Sequence, residues 1–192
     1  MSLEEKEPPL PHYEVLSTRT AYKNKWTALR EDIIRRPNGQ DGLYGVVERG
    51  EFVVILPLGE SPDGPTVTLV RQYRYPIHAR LWELPMGMWE SKPNAAAEDV
   101  AAGELREETG LIADKLIYTG SMFQGAGYST QKGHIYLAAG LRQGPTAREA
   151  TEDDMSCHTL PLAEFEQMIA RGDIACMVTL AAFARLRAQG LV

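Results

Sequence analysis

WELPMGMWESKPNAAAEDVAAGELREETGL, residues 82–111, is the stretch that decides the fold. Its second half reads as a helix. Asn94 can accept an unpaired amide hydrogen of the first turn, and Ala95 to Ala102 are strong helix formers. Gly110 stands where a left-handed C-terminal cap is expected. Within this helix Glu104, Glu107 and Glu108 are spaced i, i+3 and i+4, so their carboxylates share one side. Like charges at that spacing repel by a few tenths of a kcal/mol per pair on an exposed helix. Such a face is either left in water or meets a cation. Hard oxygen ligands on a rigid element suit Mg²⁺ or Mn²⁺. An apolar strand, Leu81 to Pro85, comes first, followed by Gly87 at a sharp turn.

Working outward, the 192 residues fit one domain with a small extra subdomain. At 44% hydrophobic and 24% charged residues, the chain can bury a sizeable core. A net charge of −6 argues against a general nucleic-acid partner, which calls for a basic stripe. It does not exclude a phosphate-bearing small ligand, because bound divalent cations reverse the local sign. No apolar run reaches membrane-spanning length and the N-terminus lacks a signal-peptide pattern, so a cytoplasmic protein is expected. Cys157 and Cys176, in an expected strand and helix, read as buried free thiols of a reducing compartment.

Alternating segments from His12 to Arg36 predict antiparallel strands, with a turn at PNGQDG, residues 37–42. FVVILPL, residues 52–58, is continuously apolar, which predicts a strand buried on both faces. TVTLVRQYRYP forms the next strand and carries Arg74 near its end. After the central helix come strands at residues 115–123 and 134–141, joined by the Gly-rich loop QGAGYSTQKG. A last strand near residues 155–160 and two helices, 162–170 and 174–189, finish the chain. Strands, one helix, more strands and terminal helices make an α+β order. The four histidines show no metal-ligand spacing, and Ser129 has no His–Asp constellation to make it a nucleophile.

The central stretch resembles the Nudix box, G-x5-E-x7-R-E-U-x-E-E-x-G-U with U aliphatic. Glu104 through Leu111 match its second half without a break. The first half departs from it. Gly87 lies two residues farther from Glu104 than the pattern prescribes, the pattern's Arg falls on Gly103 and its upstream Glu on Ala95. In the family that Arg and Glu support the loop–helix geometry; Glu90 or Glu98 could replace the Glu here from a shifted loop. VRQYRYP followed by LWELPMG, together with CHTLPLAEFEQMIARGDI, is similar to the ADP-ribose and nucleoside diphosphate sugar pyrophosphatase branch.

The resemblance implies an α/β/α sandwich around a mixed sheet, residues 43–192, with N-terminal antiparallel strands, residues 1–42, that form a homodimer. It implies hydrolysis of the diphosphate of ADP-ribose or a nucleotide sugar, giving a nucleoside monophosphate and a sugar phosphate. Carried over, the metal ligands are the Met86 carbonyl, Glu104 and Glu108, with Glu107 accessory. Glu108 and an acidic residue of the late loop, Glu152 or Asp153, serve catalysis. Arg74 either clamps a phosphate or is an ordinary strand-end arginine. Glu83 either bonds the base or ribose or pairs with a strand arginine. Trp26 either stacks on the base or is core, while Ser129 and Gln131 offer partners for sugar hydroxyls. The missing box Arg and Glu motivate a second reading, a Nudix-like binding or regulatory module weakened in turnover; the intact glutamates favour the enzyme.

Overall fold

The structure, a computed structural model, describes residues 12–89, 94–144 and 154–192. Two compact units divide the chain: one runs to Arg49 and takes in Gly125–Gln131, the other comprises Gly50–Gln124 and Lys132–Val192.

The first unit is a three-stranded antiparallel sheet in the order β1-β2-β3, built from β1 (Glu14–Lys23), β2 (Ala28–Arg35) and β3 (Asp41–Glu48). The Asn24 side chain closes the β1–β2 turn, its Oδ1 accepting the amides of Trp26 (2.9 Å) and Thr27 (2.8 Å). Gly39, at φ +81°, supplies the left-handed residue of the β2–β3 turn. On one face the buried Asp32 accepts from the Thr18 hydroxyl (2.8 Å) and Arg30 Nε (3.0 Å). β1 is exposed along its whole length. Residues 125–131 run beside β3, where Val47 donates to the Tyr128 carbonyl and accepts from Thr130. β3 carries the N-terminal sheet on to Glu48, past the expected division at residue 42.

The second unit is a seven-stranded sheet. Its main path uses β4 (Phe52–Ser61), β5 (Gly64–Arg74), β8 (Leu111–Phe123), β9 (Lys132–Gln143) and β10 (Ser156–Pro161) in the order β10-β5-β4-β9-β8. β6 (Ala79–Glu83) pairs with β5 and the short β7 (Met86–Gly87) with β4. β4 and β9 run parallel while the other pairs are antiparallel, so the sheet is mixed. Successive residues of β4 point to opposite faces. Val53 and Ile55 join Tyr136 and Ala138 of β9 against Val100, Ala101 and Leu105 of α1 (Ala97–Thr109). Val54 and Leu56, with Ile135 and Leu137, pack instead on α2 (Leu162–Arg171) and α3 (Met177–Ala188), where Phe165 and Leu186 are fully buried. Helices on both faces explain the unbroken apolar run of β4. The result is the expected α+β fold, an α/β/α sandwich with an added N-terminal antiparallel sheet.

Several local expectations are corrected. α1 starts at Ala97 behind an Ala96 N-cap with no side-chain cap bond, so Asn94 is not its cap. Glu98 and Asp99 in the first turn favour the positive end of the helix dipole instead. The C-terminus follows expectation: Gly110 is left-handed at φ 75° and its amide donates to the Arg106 carbonyl. The strand placed at Leu81 to Pro85 ends at Glu83, because the Leu84 amide donates to Thr179 Oγ1 (3.0 Å) and Pro85 has no amide hydrogen. Cys157 is only half-buried on β10, and the buried Cys176 precedes α3 rather than lying within it; both are free thiols. Among the described residues no helix is long and apolar enough to cross a membrane.

Leu105 is the side chain through which α1 is seated on the sheet, at 1% exposure. Leu105→Ala is expected to lower the unfolding free energy by about 3 kcal/mol. Urea denaturation checks this, the midpoint falling at unchanged slope; a loss within error contradicts the packing described.

Candidate active site

The carboxylates of α1 are not on a solvated face. Glu104 and Glu108 are 6% and 2% exposed, while Glu107 is half-buried. Burying ionised carboxylates is costly unless hydrogen bonds or cations compensate. Part of the compensation is visible: the Met86 amide donates to Glu108 Oε2 at 3.1 Å. One turn earlier, the Glu104 carboxyl lies over Gly87, and a Cβ at that glycine would sit 2.5 Å from its carboxyl carbon. Any side chain at residue 87 would push the Glu104 carboxyl from this position. β7, held on β4 by the Val53–Gly87 and Val54–Met86 pairs, presents this backbone to the helix.

The donor set is therefore two buried carboxylates, both hard oxygen donors, beside the half-buried backbone of Met86 and Gly87. Among the described residues, no three His, Cys, Asp or Glu side chains converge closely enough to hold a metal ion by themselves. Two carboxylates leave most of the coordination sphere to water and other oxygen ligands, the usual way Mg²⁺ is held. The residues present fit such an ion.

Arg74 and Glu83 form an ion pair, Nε to Oε2 at 2.8 Å, with Glu83 3% exposed. Of the alternatives open for Glu83, pairing with a strand arginine is the one the structure displays. Cys176 flanks the same carboxylate from the start of α3. Burial pushes its thiol above the usual value and the nearby Glu83 charge adds to the effect, so it stays a neutral donor, while Thr179 bonding opposes the shift. With Leu84 bonded to Thr179, α3 braces the strand that leads into the site. Cys176 and Thr179 could not be read as neighbours of Glu83, because they lie some ninety residues away along the chain.

The remaining expected residues are placed as follows. Trp26 belongs to the first unit and sits in the β1–β2 turn, not in the core: it is 51% exposed, with Lys25 Nζ 4.1 Å above its ring. Ser129 and Gln131 also belong to the first unit. The Ser129 hydroxyl donates to the Val47 carbonyl (3.0 Å) and accepts from the Gln131 amide (3.1 Å). Glu152 and Asp153 lie outside the described residues, as does Glu90. Asp154, at the edge of that late loop, is tied to β6 by Arg80 (2.9 Å) and accepts from the Tyr73 amide of β5 (3.3 Å).

Comparisons with known proteins place the chain among relatives. The model of the nucleoside diphosphate sugar hydrolase N-terminal domain matches residues 13–47, and that of the NUDIX domain matches residues 48–176. An ADP-ribose pyrophosphatase of Mycobacterium tuberculosis is 34% identical over 173 residues, covering 88% of this chain and 80% of that protein. An ADP-ribose pyrophosphatase of Bacillus subtilis is 28% identical over 153 residues, covering 80% and 76%. A solved structure described as an ADP compounds hydrolase superposes with a TM-score of 0.79 at 20% identity, covering 95% of this chain and 97% of the other.

Removing the guanidinium would leave the Glu83 carboxylate buried without its ion-pair partner. Arg74→Met is expected to cost about 2 kcal/mol of stability, most of it recovered in Arg74→Met/Glu83→Gln. Denaturation midpoints of the two variants check this. Equal stability of wild type and single variant contradicts the coupling.

Proposed function

The chain belongs to the Nudix hydrolase family, and on that premise we propose that it hydrolyses the diphosphate linkage of ADP-ribose or a nucleoside diphosphate sugar. The products are a nucleoside monophosphate and a sugar phosphate. One observation carries the reading: the two buried carboxylates of α1 lie against the backbone of Met86 and Gly87. The Met86 carbonyl, Glu104 and Glu108 would hold Mg²⁺ or Mn²⁺, with Glu107 as an accessory ligand. Bound there, such a cation would offset diphosphate charge and make a nearby water more acidic.

The chain's own groups supply the rest. Glu108 is oriented by the Met86 amide, and Glu152 or Asp153 takes the proton of the attacking water. Arg74 commits Nε to Glu83 and leaves its two terminal nitrogens for a phosphate oxygen. The ion pair thus fixes the direction of the guanidinium fork. Trp26, with its ring exposed, supplies an aromatic face for a base. The first sheet exposes Val15, Tyr22, Ile33 and Leu43, which supports a homodimer formed through it. The free cysteines support the reducing cytoplasm as the place of action.

Glu108→Gln keeps the acceptor for the Met86 amide while removing the charge. Turnover of ADP-ribose is expected to fall by orders of magnitude with the fold intact; near-normal turnover at saturating Mg²⁺ contradicts the assignment. In the wild type, kcat/KM for ADP-ribose or a nucleotide sugar is expected to exceed that for ATP and dGTP. A late acidic loop disfavours the extra charge of a triphosphate. A better triphosphate substrate overturns the branch while leaving the family. A weakened binding module would instead bind nucleotide sugars without releasing product.

A further inference from the structure

The segment from Met86 to Trp89 meets α1 at three points. Two are the contacts already described, Met86 to Glu108 and Gly87 to Glu104. At the third, the Trp89 indole is seated on Gly103, the residue just before Glu104. A Cβ at Gly103 would lie 2.9 Å from both Cε2 and Cη2 of that ring, and nearer still to Cζ2. The ring thus occupies the space that any side chain at residue 103 would need. A glycine inside a helix is unfavourable relative to alanine, so its presence here calls for a compensating contact. Trp89 also packs on the cluster that includes Val53, Val100 and Leu105, as do Ala95 and Ala97.

The positions involved are those at which the sequence departs from the Nudix pattern. Counting back from Glu104, the pattern's Arg falls on Gly103, its upstream Glu on Ala95 and its glycine on Trp89. Large and small residues have changed places, and the two charged positions hold small side chains.

We propose that Trp89 is a positioning residue for Glu104. Its ring, wedged on Gly103, fixes α1 at the height where the Glu104 carboxyl meets the Gly87 backbone. Apolar packing does here what the family's charged pair does elsewhere. Gly103 is followed immediately by Glu104 and, one turn later, by Glu107, so a shift of the helix at Gly103 displaces both carboxylates. The inference rests on the metal-site reading above and deepens it.

Mn²⁺ titration by calorimetry, on variants shown to be folded by circular dichroism, tests the proposal. Wild type is expected to bind Mn²⁺ and Glu104→Gln to lose it. Trp89→Ala is expected to weaken the affinity about 10-fold or more, as removal of a group supporting a metal ligand does. Trp89→Phe keeps an aromatic ring but loses the atoms nearest Gly103, and should weaken the affinity less than Trp89→Ala. Gly103→Ala forces the ring away and should weaken binding as Trp89→Ala does. The double variant Trp89→Ala/Gly103→Ala should be no worse than either single one, because both remove the same contact. Should Trp89→Ala not fold, the Phe and Gly103→Ala variants carry the comparison. A purely structural role would lower melting temperatures and leave Mn²⁺ affinity of the folded variants at the wild-type value; that result overturns the proposal. Failure of wild type itself to bind Mn²⁺ contradicts the metal-site reading and takes this inference with it.

Discussion

The close approach of two buried glutamates to a stretch of extended backbone is the constraint on which the rest of this structure depends. Carboxylates at 6% and 2% exposure are tolerable only where donors or cations meet them. The Met86 amide is one such donor, and Gly87 is the residue without a side chain that lets Glu104 come down onto the strand. A side chain at residue 87 would strike the carboxyl group itself. Both contacts fail if the helix shifts along its axis, so the packing of α1 is part of the chemistry.

That packing is set by the sheet. β4 lies between β5 and β9 and also pairs with β7, so the strand that buries residues on both faces is the one on which Met86 and Gly87 are held. Val53 and Ile55 seat α1 on one side while Val54 and Leu56 reach the C-terminal helices on the other. Those helices in turn reach toward the site. Cys176 and Thr179 at the start of α3 touch Glu83 and Leu84, just ahead of β7, and Glu83 orients Arg74. The stretch from Glu83 at the end of β6 through β7 to Trp89 thereby takes support from both layers.

Much of this is legible in the residues because it depends on local rules. The i, i+3, i+4 glutamates, the Gly110 cap and the unbroken apolar run of β4 each follow from spacing or composition, and each has its expected counterpart in the fold. What could not be read depends on contacts distant in sequence or on the absence of a side chain. Asn94 has the chemistry of a cap, yet the helix begins three residues later and uses none. Nothing in the text around Gly103 announces that an indole fourteen residues upstream fills its empty side. The pairing of Glu83 with Arg74 across the β5–β6 hairpin joins residues nine apart, and their identities alone leave Glu83 free to bond a ligand instead. That the loop holding Ser129 and Gln131 pairs through its backbone with β3 of the first sheet, some eighty residues earlier, has no counterpart in its local sequence.

The account stands on one claim, that Met86, Glu104 and Glu108 together hold a divalent cation. Anomalous scattering from crystals grown with Mn²⁺ and a non-hydrolysable ADP-ribose analogue tests it directly. The account predicts a peak at bonding distance from the Met86 carbonyl and from carboxylate oxygens of Glu104 and Glu108, shared with the diphosphate. A bound analogue with Mn²⁺ held by other residues, or with no ion between these three, contradicts it.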